Sequence, residues 1–480
     1  MKKMNLLVMS LVSAAALSFT SCSDSEDLAG NSQNKVDKFY MTLTVQTPTS
    51  NGTRTAQKNH HDASKEESYV TSGTFYLVDA NGKIAKSITI DEQAWADAKV
   101  PQQGNDGKTT LQIPVENVTA GTKYSVYFLA NATSASPLTD VYTSDLANKF
   151  AKAYSADNKF AMFNQNDADV KANSHTVVFT SDNKDANSAA KVSDIIKIDR
   201  LTARIDEPTS EATEIKAYAE DAKATEAEKK ANEDAIKAVK GVTLTKYAIS
   251  NVANKTNVMQ QWTDATTLSI PTGITYFQPT SEFGTKTLLQ NYGYFNAVTT
   301  DKSQKDYVFE NNSANAATSI YFEYKVELSD KYKTNADFED GTFYRYNKVI
   351  YSRIQDIIDA YKDQKAIFDG KDASTVIAEL TAAKNDTTDP EAKLDEFRKK
   401  YDIEVFNAGK TYYVQKIQDQ YLGVANTIQR NSIYLLNVKN IFNVGAQVPN
   451  GGPDDRTLYY LEVEVSVNPW VLNEQSVDLK

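Results

Sequence analysis

Cys22 is the only cysteine in the 480 residues, and its neighbours point its thiol towards acylation. Lys2 and Lys3 lead into an apolar run from Leu6 to Phe19, and Thr20-Ser21 set small residues directly before the cysteine. A basic start followed by an apolar stretch too short for a stop-transfer helix makes a secretory signal. Once residues 1–21 are removed, Cys22 becomes a lipidated N-terminus. Phe19 stands where Leu, Val or Ile is usual in such a signal, so an ordinary signal peptide with a chance cysteine is the alternative. Arg54 is the second singular residue, because no other arginine precedes Arg200. It follows Pro48-Thr-Ser-Asn-Gly-Thr, a turn-rich stretch open to an arginine-specific protease that would leave Thr55 as a new N-terminus. An ordinary surface arginine is the other reading.

Catalytic chemistry is poorly represented. The only histidines are His60, His61 and His175. His60-His61-Asp62 could hold a metal loosely, but no i, i+4 pair or third ligand lies near it, so a solvated polar stretch explains it better. The chain has no Gly-rich phosphate loop and no serine in a nucleophile-elbow setting. Carboxylates are abundant without an outstanding pair, and most aromatic residues fall at alternating strand positions, where core packing accounts for them. The expectation is a non-enzyme with no metal and no cofactor.

Composition narrows the class further. Removal of residues 1–21 takes two lysines and no acid, moving the net charge from -11 to -13. Such a chain repels nucleic acid and anionic lipid, and a covalent lipid would hold it at a membrane instead. With Cys22 consumed no disulfide is left, so buried apolar surface must supply the stability. Abundant tyrosine (27) and phenylalanine (19) lean towards strands.

The elements that position these residues can be read from periodicity. Residues 22–37 form a polar tether. Phe39, Met41, Leu43 and Val45 then alternate with Tyr40, Thr42, Thr44 and Gln46, the period-2 pattern of a half-buried strand. A hairpin is expected where Thr74–Val78 and Lys83–Ile90 flank Asp79-Ala80-Asn81-Gly82, with Asn-Gly taking the positive φ angles of a tight turn. Further strands are expected at Leu111–Val115, Tyr124–Leu129, Thr176–Thr180 and Ile195–Ile205, with a short helix between Leu138 and Tyr154. Residues 209–240 read as one helix, polar nearly all round and therefore solvated. Strands resume at Val242–Ile249 and Ser319–Leu328. Helical patterns fill about 347–400, and strands return at Thr411–Ile417, Ser432–Val438 and Leu458–Val467. Many short strands between turn signals indicate β-sandwiches. The expected division is 38–205 and 206–480.

The C-terminus carries the last signal. Leu461, Val463, Val465 and Val467 alternate with polar residues, and Pro469 is expected to end that strand. An apolar tail follows, in which Trp470 and Leu472 share one parity and Val477 and Leu479 the other. Two short strands joined by a bulge or crossing would give that switch. The tail either pairs within its own domain or with another molecule.

Taken in order, these features resemble the fimbrillins of the Bacteroidetes, the FimA/Mfa1-type fimbrial subunits, and most of all the Mfa1 branch. The likeness is carried by the start at Cys22, the early strand with Arg54 behind it, and Tyr124-Ser-Val-Tyr-Phe-Leu-Ala-Asn131. It continues through Ile198-Asp-Arg-Leu-Thr-Ala-Arg-Ile205, Leu244-Thr-Lys-Tyr-Ala-Ile-Ser-Asn251, Gly409-Lys-Thr-Tyr-Tyr413, Arg430-Asn-Ser-Ile-Tyr434 and Val467-Asn-Pro-Trp-Val471. The acidic run Ser23–Asp27 is similar to the signal that sends lipoproteins of these bacteria to the cell surface, with a solvated linker as its alternative.

The resemblance implies two tandem transthyretin-like β-sandwich domains with helical insertions. It also implies a lipid-anchored precursor at the outer membrane, cleaved at an arginine so that the lipidated end leaves with the first strand. The removed strand would be the one holding Phe39, Met41, Leu43 and Val45. A neighbour's Trp470, Leu472, Val477 and Leu479 would fill the vacancy, giving a surface fimbrium that supports adhesion and biofilm formation. Implied partners are copies of the chain, the protease, and anchor and tip subunits, with no nucleic acid. A surface glycan-binding lipoprotein is the rival reading, and it calls for exposed tryptophan platforms.

Overall fold

The computed structural model describes residues 37–48, 61–62, 64–101, 107–132, 138–147, 149–165, 175–220, 222–264, 267–277, 295–363, 366–419, 422, 424, 426–449 and 461–471. The first sheet comprises β1 (Lys38–Gln46), β2 (Gly73–Val78), β3 (Ile84–Ile90), β4 (Lys108–Glu116), β5 (Lys123–Ala130), β6 (Met162–Asn164), β7 (Thr176–Val178), β8 (Ala190–Lys191) and β9 (Ile196–Arg200). β9, β6, β5, β2 and β3 lie side by side in that order. β1 attaches to β8 and β9 along one edge and to β4 along the other. The sheet folds over, so that Met41 and Leu43 of β1 and Leu111 and Ile113 of β4 share one core with Phe75, Val126 and Phe128. Trp95 from helix α1 (Glu92–Ala98) joins this core beside Phe128, in a helix started by the Asp91 side chain.

The β2–β3 hairpin forms where expected, with a different turn. Gly82 has φ of +79°, whereas Asn81 does not take a positive φ. Asp79 explains this: its Oδ1 accepts from the Asn81 and Lys83 amides at 2.9 and 3.0 Å and tightens the loop from its own side chain. Gly73 is required for a packing reason. A Cβ there would collide with the Phe128 ring and sit 2.6 Å from the Leu129 carbonyl oxygen. Gly73→Ala is expected to lower stability by ~1–3 kcal/mol through overpacking, measurable as a fall in Tm.

The chain leaves the first sheet at Arg200 and enters the second at Ala203. The expected strand 195–205 is therefore two strands, divided at Leu201-Thr202. The second region contains β10 (Ala203–Asp206), β11 (Val239–Ser250), β12 (Lys305–Val308), β13 (Ser319–Leu328), β14 (Lys410–Lys416), β15 (Ser432–Ile441) and β16 (Leu461–Val471). β16, β15, β10 and β12 are neighbours in one sheet, and β11, β13 and β14 in another. Ile205, Tyr434 and Leu436 from the first of these and Tyr247, Phe322 and Tyr324 from the second meet in one buried cluster. This is a sandwich. Because side chains alternate along a strand, Ile433 of β15 points the other way and is buried in the N-terminal core.

Two helical expectations change. Residues 209–240 do not form one helix: Thr209–Ser210 pairs with β15, and among the described residues of this range only α2 (Glu226–Ala238) is helical, opened by a Thr225/Glu228 capping box. Nor is α2 solvated all round, since Ala235 and Ala238 are fully buried in the second core and Ala231 is nearly so. Three alanines at helical spacing make a narrow apolar stripe that a polarity reading undervalues. The stretch from Leu138 to Tyr154 holds a short strand, Asp145–Ala147, and a 3-10 turn rather than an α-helix. Between β13 and β14, helices α3 (Ile354–Tyr361), α4 (Ala373–Lys384) and α5 (Pro390–Tyr401) build a lobe with its own core of Ile357, Val376, Leu380, Leu394 and Phe397. The expectation of a mainly β chain with helical insertions holds.

Candidate functional site

β1 occupies a slot in the first sheet. All nine of its residues pair antiparallel with β4, from Lys38 opposite Glu116 to Gln46 opposite Lys108. On its other edge Met41 and Thr42 pair in parallel with Ala190 and Lys191, and Val45 and Gln46 with Ile196 and Lys197. Phe39, Met41, Leu43 and Val45 are each at most 2% exposed. The Phe39 ring lies 5.6 Å from that of Phe179, and Lys184 sits 5.9 Å over it while pairing with Asp37 at 2.6 Å. That ion pair is half-exposed and adds little. The outward side is polar, with the Thr44 and Thr110 hydroxyls 2.7 Å apart.

Among the described residues, β4 ladders to the rest of the sheet only through β1, and one further bridge joins Leu111 to Lys99 just after α1. Taking β1 away would leave β4 and the β8–β9 edge facing each other across an open groove. Four vacated apolar sites at ~1.5–3 kcal/mol each amount to about 6–12 kcal/mol as an upper figure. The same groove would expose unpaired backbone donors and acceptors on both walls.

At the other end, β16 pairs antiparallel with β15 from Leu461 opposite Ile441 to Pro469 opposite Ser432. Leu461 is buried and Val463 packs on the second core, while Glu464 reaches Lys439 at 3.0 Å. The expectation that Pro469 ends this strand is corrected: β16 runs on to Val471. Pro469 faces Ser432, the first residue of β15, so its missing donor falls at the ladder's end. Beyond it, Trp470 and Val471 pair in parallel with His61 and Asp62. Leu472, Val477 and Leu479 lie outside the described residues, as do Cys22, Arg54, Thr55 and His60. Among the described residues, no group of three His, Cys, Asp or Glu is placed to hold a metal.

The arginines form a pattern that the sequence did not disclose. Arg200, Arg204, Arg398 and Arg430 are at most 5% exposed. The Arg345 side chain is 12% exposed and bound to Glu404, and among the described arginines only Arg353 is well exposed, at 39%. Arg430 donates to the Thr256 hydroxyl and to the Asn257 and Val258 carbonyls, at 3.0, 2.6 and 2.8 Å. Two arginines four residues apart inside the strand-like stretch 196–205 were the available signal that these side chains serve a buried junction.

Residues 404–476 match the model of the major fimbrial subunit protein type IV, fimbrillin, C-terminal region. The match begins beside β14 and spans β15 and β16. A solved structure of a candidate cell adhesion protein from Parabacteroides distasonis is similar at 12% identity, covering 92% of this chain and 99% of that one, with a TM-score of 0.48. A fimbrial assembly protein from Parabacteroides distasonis is similar at 12% identity over 62% of this chain and 82% of its own, with a TM-score of 0.30. The fimbrial anchor protein Mfa2 from Porphyromonas gingivalis is similar at 10% identity over 60% and 78%, with a TM-score of 0.25. No curated protein matches.

Proposed function

We propose that this chain, whose residues 404–476 match the fimbrillin C-terminal region, is a fimbrial subunit of the Bacteroidetes fimbrillin type that polymerises by donor-strand exchange. The precursor is carried to the outer membrane as a lipoprotein acylated at Cys22. An arginine-specific protease cuts after Arg54, and β1 leaves with the lipidated end. The tail of a neighbouring copy, with Trp470 at its base and Leu472, Val477 and Leu479 entering, fills the groove between β4 and the β8–β9 edge. An extended segment entering that slot satisfies hydrogen bonds and apolar contacts together. A groove on one region and a tail on the other make a head-to-tail contact, which propagates as a filament. The filament supports adhesion and biofilm formation at the cell surface, joined there by anchor and tip subunits.

One observation carries this reading: a strand that is paired on both edges and buries four side chains in the N-terminal core lies wholly before the one early arginine. Burial of four other arginines supports it, because a cleavage site must be reached by an extended backbone. The glycan-binding alternative is less well served, since Trp95 lies in the core and Trp262 is half-buried.

Two outcomes are expected. Sequencing of subunits taken from surface filaments will begin at Thr55, and subunits beginning at Cys22 would overturn the cleavage step. Cys22→Ala will release or mislocalise the precursor, whereas unchanged membrane fractionation would remove the lipid from the scheme.

A further inference from the structure

The turn after the proposed processing site is held by a buried charge cluster that none of the assembly chemistry uses. Glu67 is 1% exposed. Its Oε1 accepts from Tyr307 Oη at 2.7 Å, Arg204 Nη1 at 3.1 Å and Lys305 Nζ at 3.2 Å. Its Oε2 accepts from Arg204 Nη1 at 2.9 Å and the Ser64 amide at 2.8 Å. Arg204 is shared with Asp206 through two contacts of 2.6 and 2.9 Å. Arg200 takes the backbone of the same turn, donating to the Glu67 carbonyl at 2.7 Å, the Ser68 hydroxyl at 2.7 Å and Asn431 Oδ1 at 2.9 Å. Asn431 in turn donates to Asp199 at 3.1 Å, and its amide to the Thr202 carbonyl at 2.9 Å. Two segments that carry the family likeness, Ile198–Ile205 and Arg430–Tyr434, therefore meet on one turn.

We propose that Glu67, with Arg200 and Arg204, is a latch that keeps residues 64–72 docked across the junction of the two sheets when β1 departs. The groups that hold the turn come from β9, β10, β12, Asn431 just before β15 and the Asn158 amide, which donates to the Glu66 carbonyl at 2.8 Å, and none of these groups belongs to β1. Downstream the segment is secured again: Asn131 donates to the Tyr69 carbonyl at 2.7 Å and accepts from the Thr71 amide at 3.1 Å. With the chain cut after Arg54, β1 leaves as a separate piece, and fraying of the new end at Thr55 stops at the latch and does not unzip β2. This role rests on the processing reading for its occasion, though the latch itself can be tested without it.

The carboxylate supports the assignment. Burial would raise it, but Arg204, the Tyr307 hydroxyl, the Ser64 amide and Lys305 outweigh that and hold it at about 2. Other charges facing it are Arg200, Asp206, Asp199 and the neighbouring Glu66, with Asp157 near Tyr307. A carboxyl depressed from 4.5 contributes its full stabilisation above that pH and loses it as pH falls towards about 2.

The test uses the full chain, wild type and Glu67→Gln, before and after treatment with an arginine-specific protease, read by hydrogen exchange. In wild type, residues 64–72 will keep their protection after the cut, while Glu67→Gln will exchange there faster by roughly tenfold or more, with β2 unchanged. Wild-type protection, corrected for intrinsic exchange, will also fall below about pH 4.5, and the variant will lack that dependence. Loss of protection in cut wild type, or an unaltered Glu67→Gln, would overturn the latch. Should Glu67→Gln fail to fold, the pH series on cut wild type decides alone: local loss at 64–72 supports the latch, and loss only together with β2 refutes it. The mass of the new N-terminus reports the cut itself. A chain not cut at Arg54 counts against the processing reading, and the intact wild type and variant then carry the latch comparison.

Discussion

A synthetic peptide with the sequence Lys38–Gln46 will bind the cleaved subunit and stop its polymerisation, and the same peptide with Leu43→Asp will not. The cleaved subunit has lost four side chains that were at most 2% exposed, together with both ladders of β1. The gross deficit of about 6–12 kcal/mol is as large as the stability of many whole domains, so the open subunit must recruit a strand or loosen. The peptide restores the original occupant. Leu43 pairs with Leu111 at the middle of the β4 ladder, where a carboxylate would be desolvated without a partner. Loss of the leucine's burial alone, at ~1.5–3 kcal/mol, weakens binding about ten- to a hundredfold, and the buried charge adds to that. Titration of the peptide into cleaved protein, followed by electrophoresis in detergent without boiling, reads both effects. Subunits that ladder undisturbed by a saturating excess of the native peptide would show that β1's slot is not the acceptor.

The occupant of that slot is legible in the sequence alone, because period-2 alternation over Phe39–Val45 depends only on local chain geometry. The same holds for β13, β14 and β15, whose apolar runs mark strands by local composition. What the sequence hides is everything decided at long range. Nothing near Glu67 in sequence distinguishes it from the many solvated carboxylates; its partners Arg204, Lys305 and Tyr307 lie far along the chain. A polarity pattern misjudges α2 because alanine carries little weight in it, yet packs closely where a larger side chain would not fit. Pro469 misleads for a related reason. Proline forbids a donor only where a neighbour needs one, and which residue lies opposite is a property of the sheet.

That last point sharpens the test of the tail. Because β16 reaches Val471 and pairs there with His61 and Asp62, a truncation that begins at Trp470 would damage the domain's own ladder. Deleting Leu472–Lys480 instead leaves β16 intact, with Leu461 and Val463 still on the second core. The expected protein is folded, with stability within about 1 kcal/mol of wild type and Tm within a few degrees. It will nonetheless fail to ladder after cleavage, because its groove is open and it has no strand to donate. Mixed with full-length subunits it will cap growing chains, since it still accepts a strand and shortens the ladder in proportion to its share. Val463→Asp makes the contrast: it places a charge against the core and should cost several kcal/mol, lowering Tm before any assembly is measured. If the Leu472 truncation ladders as well as the full chain, the tail is not the donor, and the groove of β1 must be filled from elsewhere on the molecule.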